Sequence, residues 1–444
     1  MPSVAYAAAP LVVWTVYWLA FFPGLVSMDS VNQWGQIVTG KYDDWHPVAH
    51  TWLVWLLTRP GHSLGTVSFL QVVLTALLVG TICHEVRRLG APAWLVWGMV
   101  AWWTLSPVYA VGTIAVWKDA PFGLAVLWTV LILLRSAAAD RLGVADGMRL
   151  GLACGLMTLF RHNGQLVAIP TFAVTAWYFW PDGRRAAAWA VVGGGLLVTA
   201  VIGATRAADV PHAPVVLKQQ TIIHHVAGLI AAGTPLSDAD RAVVEGLAPL
   251  DRWTAEYHCQ GIGAFLYTPS LRRPLQRERW QLLPVWLHLA ARNPAAVLRH
   301  WACVTRYVWW PSTDLSVGPL TTSDGTEMVA ENPYGLVTAS WCPACRRVLS
   351  SVFTATLAPG SVARALVWQP AVALYVLLVA LVACRRGRWA ALLVLSPALF
   401  NTVLWLAMST EPHLRFQWPV VLVAPLALAF PTIGPAIVRR RAAR

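Results

Sequence analysis

Ten apolar stretches, most of them close to the twenty or so residues that a helix needs to cross a bilayer, limit this chain's fold more than any other feature. They lie near residues 4–25, 63–84, 91–109, 119–135, 148–161, 164–181, 187–206, 364–384, 388–408 and 416–435. A backbone in hydrocarbon must satisfy its own N–H and C=O groups, so runs of this length are helices. The chain is 57% hydrophobic and 12% charged, with a mean hydropathy of +0.57, as expected for a protein dissolved mostly in lipid. The expected fold class is therefore an all-α polytopic membrane protein of about ten spans. A net charge of +13 would suit nucleic acid, but the basic residues fall in short clusters between apolar runs, where they set orientation. No nucleic-acid partner is expected, and the lipid bilayer is.

With ten spans, Arg87-Arg88, the 135–149 loop, Arg184-Arg185, Arg385-Arg386-Arg388 and Arg439-Arg440-Arg441 share one face. Positive charge marks that face as cytoplasmic, with both termini on it. The opposite face then carries the 26–62 loop, the Val111 to Asp119 connection, the Arg161 to Gly164 turn, a long 207–362 segment and the Ser409 to Arg415 loop. The first apolar run lacks a signal-peptide cleavage pattern and is kept as a span. His50 to Leu57 is apolar but too short to cross, and is placed flat at the interface.

This gives a transmembrane module over 1–206, an extracytoplasmic domain over 207–362 and C-terminal membrane helices over 363–444. Ser237 to Glu245 opens with a capping-type serine and early acids, and helices are also expected over Arg277 to Ala291 and Pro294 to Val308. Irregular backbone is expected over 311–326. No repeat of fixed period is visible. Cys83, Cys154 and Cys384 fall in or beside spans and read as buried hydrophobes. Cys259, Cys303, Cys342 and Cys345 fall on the expected outer face, an even number that favours disulfides of unspecified pairing.

The stretch 27–47 wedges Asp29, Asp43, Asp44 and His46 between apolar runs, in a chain with only 20 acidic residues. Ionisable groups at membrane depth are costly, which makes this stretch a candidate active-site loop. Lys118-Asp119 stands at the mouth of another span, and Lys118 is one of only three lysines among 33 basic residues. It could simply pair locally, or its compact ammonium could meet a phosphate. Arg161 and Asn163 interrupt what would otherwise be one apolar stretch from 148 to 181, either as a plain hairpin turn or to present a guanidinium. Glu411 and Arg415 stand one turn apart if their segment is helical, and could pair with each other. A carboxylate can take a proton from an attacking hydroxyl while Lys and Arg neutralise a departing phosphate. Those two roles combine in glycosyl transfer from a lipid phosphate.

The order of these motifs resembles the GT-C superfamily of membrane glycosyltransferases: Asp29-Ser30 and His46-Pro47 in a long first loop, a flat apolar helix, Arg87-Arg88-Leu89-Gly90, Lys118-Asp119, and Glu411 to Phe416 before the last span. Within it, the chain is similar to the bacterial branch related to protein mannosyltransferases and aminoarabinose transferases. The likeness covers roughly the first 210 residues well and the final span more weakly. Gln219-Gln220, Pro249-Leu250-Asp251 and Asn293-Pro294 resemble the outer domain of uncharacterised members. The resemblance implies transfer, with inversion, from a polyprenyl-phosphate-linked sugar to a saccharide, lipid or protein acceptor at the outer face of a bacterial cytoplasmic membrane. It makes Asp29 the general base and Lys118, Arg161 and Arg415 donor-phosphate ligands. Relatives often carry two adjacent acids where this chain has Asp29-Ser30, so Asp43, Asp44 or Asp119 could supply the second carboxylate. His46, Asn163 and Glu411 complete the candidate set of substrate-binding residues. No cofactor is expected, although carboxylates with His46 could hold a divalent metal. The alternative functions are a transporter or flippase of a lipid-linked saccharide, and an assembly partner without catalysis.

Overall fold

In the computed structural model the chain is helical, and the described residues are 3–59, 61–212, 215–263, 265, 281–311, 332–337 and 339–442. Among the described residues five helices are long and apolar enough to cross a membrane: α1 (Ser3–Ala20), α4 (Gly65–Arg88), α7 (Asp119–Ala139), α10 (Arg184–Ala207) and α20 (Arg388–Met408). Three bent pairs raise the number to eight if each is one span. They are α5 with α6 (Ala93–Leu105, Pro107–Ile114), α18 with α19 (Val362–Trp368, Pro370–Ala383), and the last pair, which joins a 3₁₀ turn (Leu414–Gln417) and α21 (Trp418–Ala427) to α22 (Phe430–Ala442). Pro107 and Pro370 each stand at the first turn of the second helix of their pair, where a missing N–H is tolerated. The expected 91–109 span is thus longer and broken. The 148–161 and 164–181 stretches form α8 (Val144–Phe160) and α9 (Gln165–Tyr178), of 17 and 14 residues, at or below the short end of the crossing range.

Between α1 and α4 lie α2 (Met28–Thr39) and the short apolar α3 (Val48–Thr58). They rest on a small apolar cluster of Val26, Val31, Val54, Leu64, Val67, Val116 and Leu336, which gives the polar loop a hydrophobic floor. Close helix approach elsewhere depends on missing side chains. Gly147 and Gly151 of α8 face the Ala186 and Ala190 carbonyls of α10, with no room for a Cβ, the small-xxx-small pattern of membrane helix pairs.

A backbone carbonyl freed by proline must find another donor in lipid. Pro425 in α21 cannot bond the Val421 carbonyl, and the buried Tyr109 hydroxyl of α6 donates to it at 3.0 Å. Trp103 of α5 donates to the neighbouring Leu422 carbonyl, also at 3.0 Å. These bonds fasten the last span, and with it Arg415, to α5 and α6.

The 207–362 segment divides. Helices α11 (Val215–Ala231), α12 (Asp238–Leu247), α13 (Leu250–Ala255), α14 (Leu282–Arg292) and α15 (Pro294–Val304) share a second core around Trp253, Phe265 and Leu289. Ser237 caps α12 by accepting from the Asp240 N–H at 3.1 Å, as its sequence predicts. The helix expected from Arg277 begins at Leu282 in the described residues, and 277–280 and 312–326 lie outside them. The helix expected over 294–308 breaks at Thr305 before the one-turn α16 (Arg306–Trp309). Past it, α17 (Pro343–Leu357) joins the large core instead, stacking Phe353 on Phe21 of the α1 end at 5.4 Å. The four cysteines pair as Cys259–Cys303 and Cys342–Cys345.

Candidate active site at the first polar loop

Two segments far apart in sequence are locked side by side before any charge is placed. The Leu25 N–H donates to the Ile114 carbonyl at 3.1 Å and the Val116 N–H to the Leu25 carbonyl at 2.9 Å, an isolated parallel bridge. From α4, Gln71 Nε2 donates to the Thr113 and Ala115 carbonyls, both at 2.9 Å, and Ser68 Oγ donates to the Pro23 carbonyl at 2.6 Å. Gly24 makes the turn at φ +118°, and a Cβ there would stand 2.6 Å from the Ile114 oxygen. Ser30 completes the clamp: its hydroxyl donates to the Val116 carbonyl at 2.7 Å and accepts the Ser27 N–H at 3.1 Å at the start of α2. Trp117 Nε1 also donates to Ser27 Oγ. The result sets Asp29, in the first turn of α2, opposite Lys118.

Asp29 Oδ2 accepts from Lys118 Nζ at 3.0 Å and from Arg415 Nη1 at 2.7 Å, so one oxygen serves two cations. His46 Nε2 faces Oδ1 at 3.8 Å, and its Nδ1 lies 3.1 Å from the same Lys118 ammonium. An ammonium only donates, so His46 Nδ1 is the acceptor and the ring proton sits on Nε2 toward Asp29. Burial alone would raise the Asp29 carboxyl, but the charges of Lys118 and Arg415, with His46, hold it well below the usual carboxylate range. Burial first and Lys118 second press His46 down to about 3, which keeps it neutral. The carboxylate stays 24% exposed, with Lys118 at 17% and Arg415 at 16%, so the group is reachable.

Asp119 and Arg161 meet nearby in a different way. Arg161 Nη1 donates to Asp119 Oδ1 in a pair exposed by only 5% and 2%, and Asp119 Oδ2 has no hydrogen-bond partner among the described residues. Arg161 ends α8 in extended backbone, and the tight 161–164 turn admits no Cβ at Gly164 against the Met157 carbonyl. Its guanidinium lies 4.9 Å from the Trp405 ring and 5.4 Å from those of Phe122 and Phe416. Arg415 lies 5.2 Å from the Phe416 ring and 5.5 Å from that of Trp117, so both guanidiniums approach Phe416.

The remaining expected residues have local duties. Asp43 Oδ1 accepts from Gln36 Nε2 at 3.0 Å and from the Trp45 N–H at 2.9 Å. Asp44 Oδ1 accepts the Val48 N–H at 3.1 Å as α3 begins, and His162 Nε2 donates to its carbonyl at 3.0 Å. Asn163 is half-buried in the turn, where its carbonyl accepts the Leu166 N–H at 3.0 Å. Glu411 does reach Arg415 Nη2, at 3.7 Å, although its segment is not helical until Leu414. No group of three or more His, Cys, Asp or Glu among the described residues is placed to hold a metal ion.

Several residues of the site escaped sequence reasoning. Gln71 reads as one polar residue in a span, and its purpose is visible only in the two carbonyls it clamps. His50 is buried, bonds Gln33 Oε1 through Nδ1 at 3.1 Å and leaves Nε2 without a hydrogen-bond partner among the described residues; burial, with Lys118 second, presses it down to about 3. Its signal was a histidine inside an apolar helix. His413, beside Trp117 at 5.8 Å between ring centres, is held well below the usual imidazole range by burial and then by Arg415.

No family model, curated protein or solved structure matches this chain.

Proposed function

We propose that this protein is a membrane glycosyltransferase that moves a sugar from a polyprenyl-phosphate donor to an acceptor hydroxyl, at the face of the membrane opposite the arginine clusters. The observation that carries the reading is a single, partly open carboxylate oxygen held by two cations drawn from segments 89 and 386 residues away. Lys118 and Arg415 suit the phosphate that departs, because their charge is already fixed where negative charge grows. Asp29 suits the proton of the attacking hydroxyl. In this reading the hydroxyl oxygen bonds to the anomeric carbon, the carbon–phosphate oxygen bond breaks, the proton passes to Asp29 and polyprenyl phosphate leaves. His46 holds Lys118 in line, and Arg161 supports the wall behind Phe416.

The test uses purified protein in nanodiscs, a panel of radiolabelled polyprenyl-phosphate sugars and membrane extract as the acceptor source. Label reaching a new product with wild type, and not with Asp29→Asn, is expected. If no donor is consumed while labelled lipid-linked sugar crosses a proteoliposome bilayer, the protein is a flippase and the reading fails.

A further inference from the structure

We infer that Asp29 is caged as a base by the two cations that bind the donor, and that the donor's own phosphate releases it. The inference rests on the glycosyltransferase reading and adds an order of events to it. Both cations converge on Oδ2, and His46 occupies the Oδ1 side, so the free site presents no carboxylate oxygen without a positively charged or N–H neighbour. A carboxylate so engaged accepts a proton poorly. Arg415 is not fully used in this state: Glu411 stands 3.7 Å from Nη2, and Nε has no hydrogen-bond partner among the described residues. A phosphate monoester or diester brings more oxygens than one carboxylate and matches a guanidinium fork, so it competes for both cations.

Once the phosphate takes Lys118 and Arg415, Asp29 loses its counter-charges and gains an anionic neighbour. Both changes raise its proton affinity, just where the acceptor hydroxyl must be deprotonated. The donor therefore binds first, and an acceptor that arrives alone meets an inactive base. The arrangement protects against premature chemistry through charge alone.

The test is equilibrium binding of farnesyl phosphate, with farnesol as the phosphate-free control, to wild type, Asp29→Asn and Glu411→Gln. If Asp29 competes with phosphate, Asp29→Asn binds farnesyl phosphate about tenfold more tightly than wild type even though it has lost its base, a shift worth roughly one charge-assisted hydrogen bond. Glu411→Gln tightens binding by a smaller factor, and farnesol is indifferent to all three. Equal or weaker binding to Asp29→Asn overturns the cage while leaving the phosphate site standing. Binding to none of the three proteins, each shown to be folded, overturns the cage and the functional reading together. Should Asp29→Asn fail to fold, a cryo-EM map of wild type with farnesyl phosphate decides instead. Asp29 beyond about 4 Å from both cations supports release, and unchanged ion pairs overturn it.

Discussion

Asp29 and Asp119 each bind a guanidinium, yet their surroundings differ sharply. Among the described residues the Asp119 carboxylate hydrogen-bonds Arg161 alone, and both residues are almost fully buried, with aromatic rings around the guanidinium. Asp29 has two cations and a histidine, and remains a quarter exposed. A one-to-one buried pair is neutral and closed, so it holds segments together. Asp29 Oδ2 is shared by two cations that keep some exposure, and Arg415 meets Glu411 only at 3.7 Å, so these cations are less tightly neutralised than Arg161 is.

The comparison breaks first on the acids themselves. On the proposed function, Asp29→Asn should reduce sugar transfer by a factor of about 10²–10⁴, the loss usual for a positioned base, and cost less stability than Asp119→Asn because Lys118 and Arg415 keep 17% and 16% exposure. Asp119→Asn should instead destabilise the fold by about 3–5 kcal/mol, because it strands a buried guanidinium. Transfer assays and thermal unfolding of both variants check the pair of outcomes. A stable Asp119→Asn protein, or an active Asp29→Asn protein, would merge the two roles that the geometry separates.

Next in size is the register that brings Asp29 to Lys118. Gly24→Ala forces a side chain into a left-handed turn and against the Ile114 carbonyl, at a cost of about 1–3 kcal/mol. The larger consequence is displacement of Asp29 from the cations, so transfer should fall by roughly tenfold or more beyond any loss of folded protein. Specific activity per folded molecule is the measurement.

Acidity separates the second core from the Asp29 carboxylate. His224 and His225 are pressed down to about 4 and His300 to about 2, by burial and, for the last two, by neighbouring histidines. Their folded pKa values lie below the unfolded value near 6.5, so the unfolded chain takes up protons first. Stability should be level above about pH 7 and fall between about pH 6.5 and 4, with His46 and His50 adding to the same slope. Asp29 shifts stability in the same direction but in a lower window: its contribution is present above its unfolded pKa near 4 and is lost only as pH falls further. Thermal unfolding from pH 7.5 to 4.5 should therefore show acid lability, and His300→Phe should reduce its slope while leaving transfer at pH 7 intact.

Much of this was legible in the sequence, for reasons that also explain what was not. Charged residues in an apolar chain stand out, and Asp29, His46, Lys118 and Arg415 do converge. Arg161 and Asp119 were equally visible, but that they pair with each other in a closed interior depends on Phe122, Trp405 and Phe416, whose burial no local pattern announces. Gln71 and Ser68 act on carbonyls of loops distant in sequence, so their spacing within α4 carries no signal. Helix breaks at Pro107 and Pro370 were written in the sequence, although apolar composition on both sides made each pair read as a simpler span. The expected outer domain was one apolar-to-polar shift in composition, while the structure gives part of it, α17, to the membrane-side core through Phe353.

The finest test concerns Glu411, which shares Arg415 with Asp29 but stands 3.7 Å away and is 36% exposed. Partly exposed pairs at that distance contribute about 1 kcal/mol or less. Glu411→Gln should thus leave melting unchanged and alter transfer by no more than a few fold, mostly through donor affinity and not through the rate at saturation. If the rate at saturating donor collapses as it does for Asp29→Asn, then Arg415 is held between two acids of equal weight. The proton would then have two places to go, and the contrast between an open, doubly held carboxylate and its closed neighbour would have to include Glu411 on the reactive side.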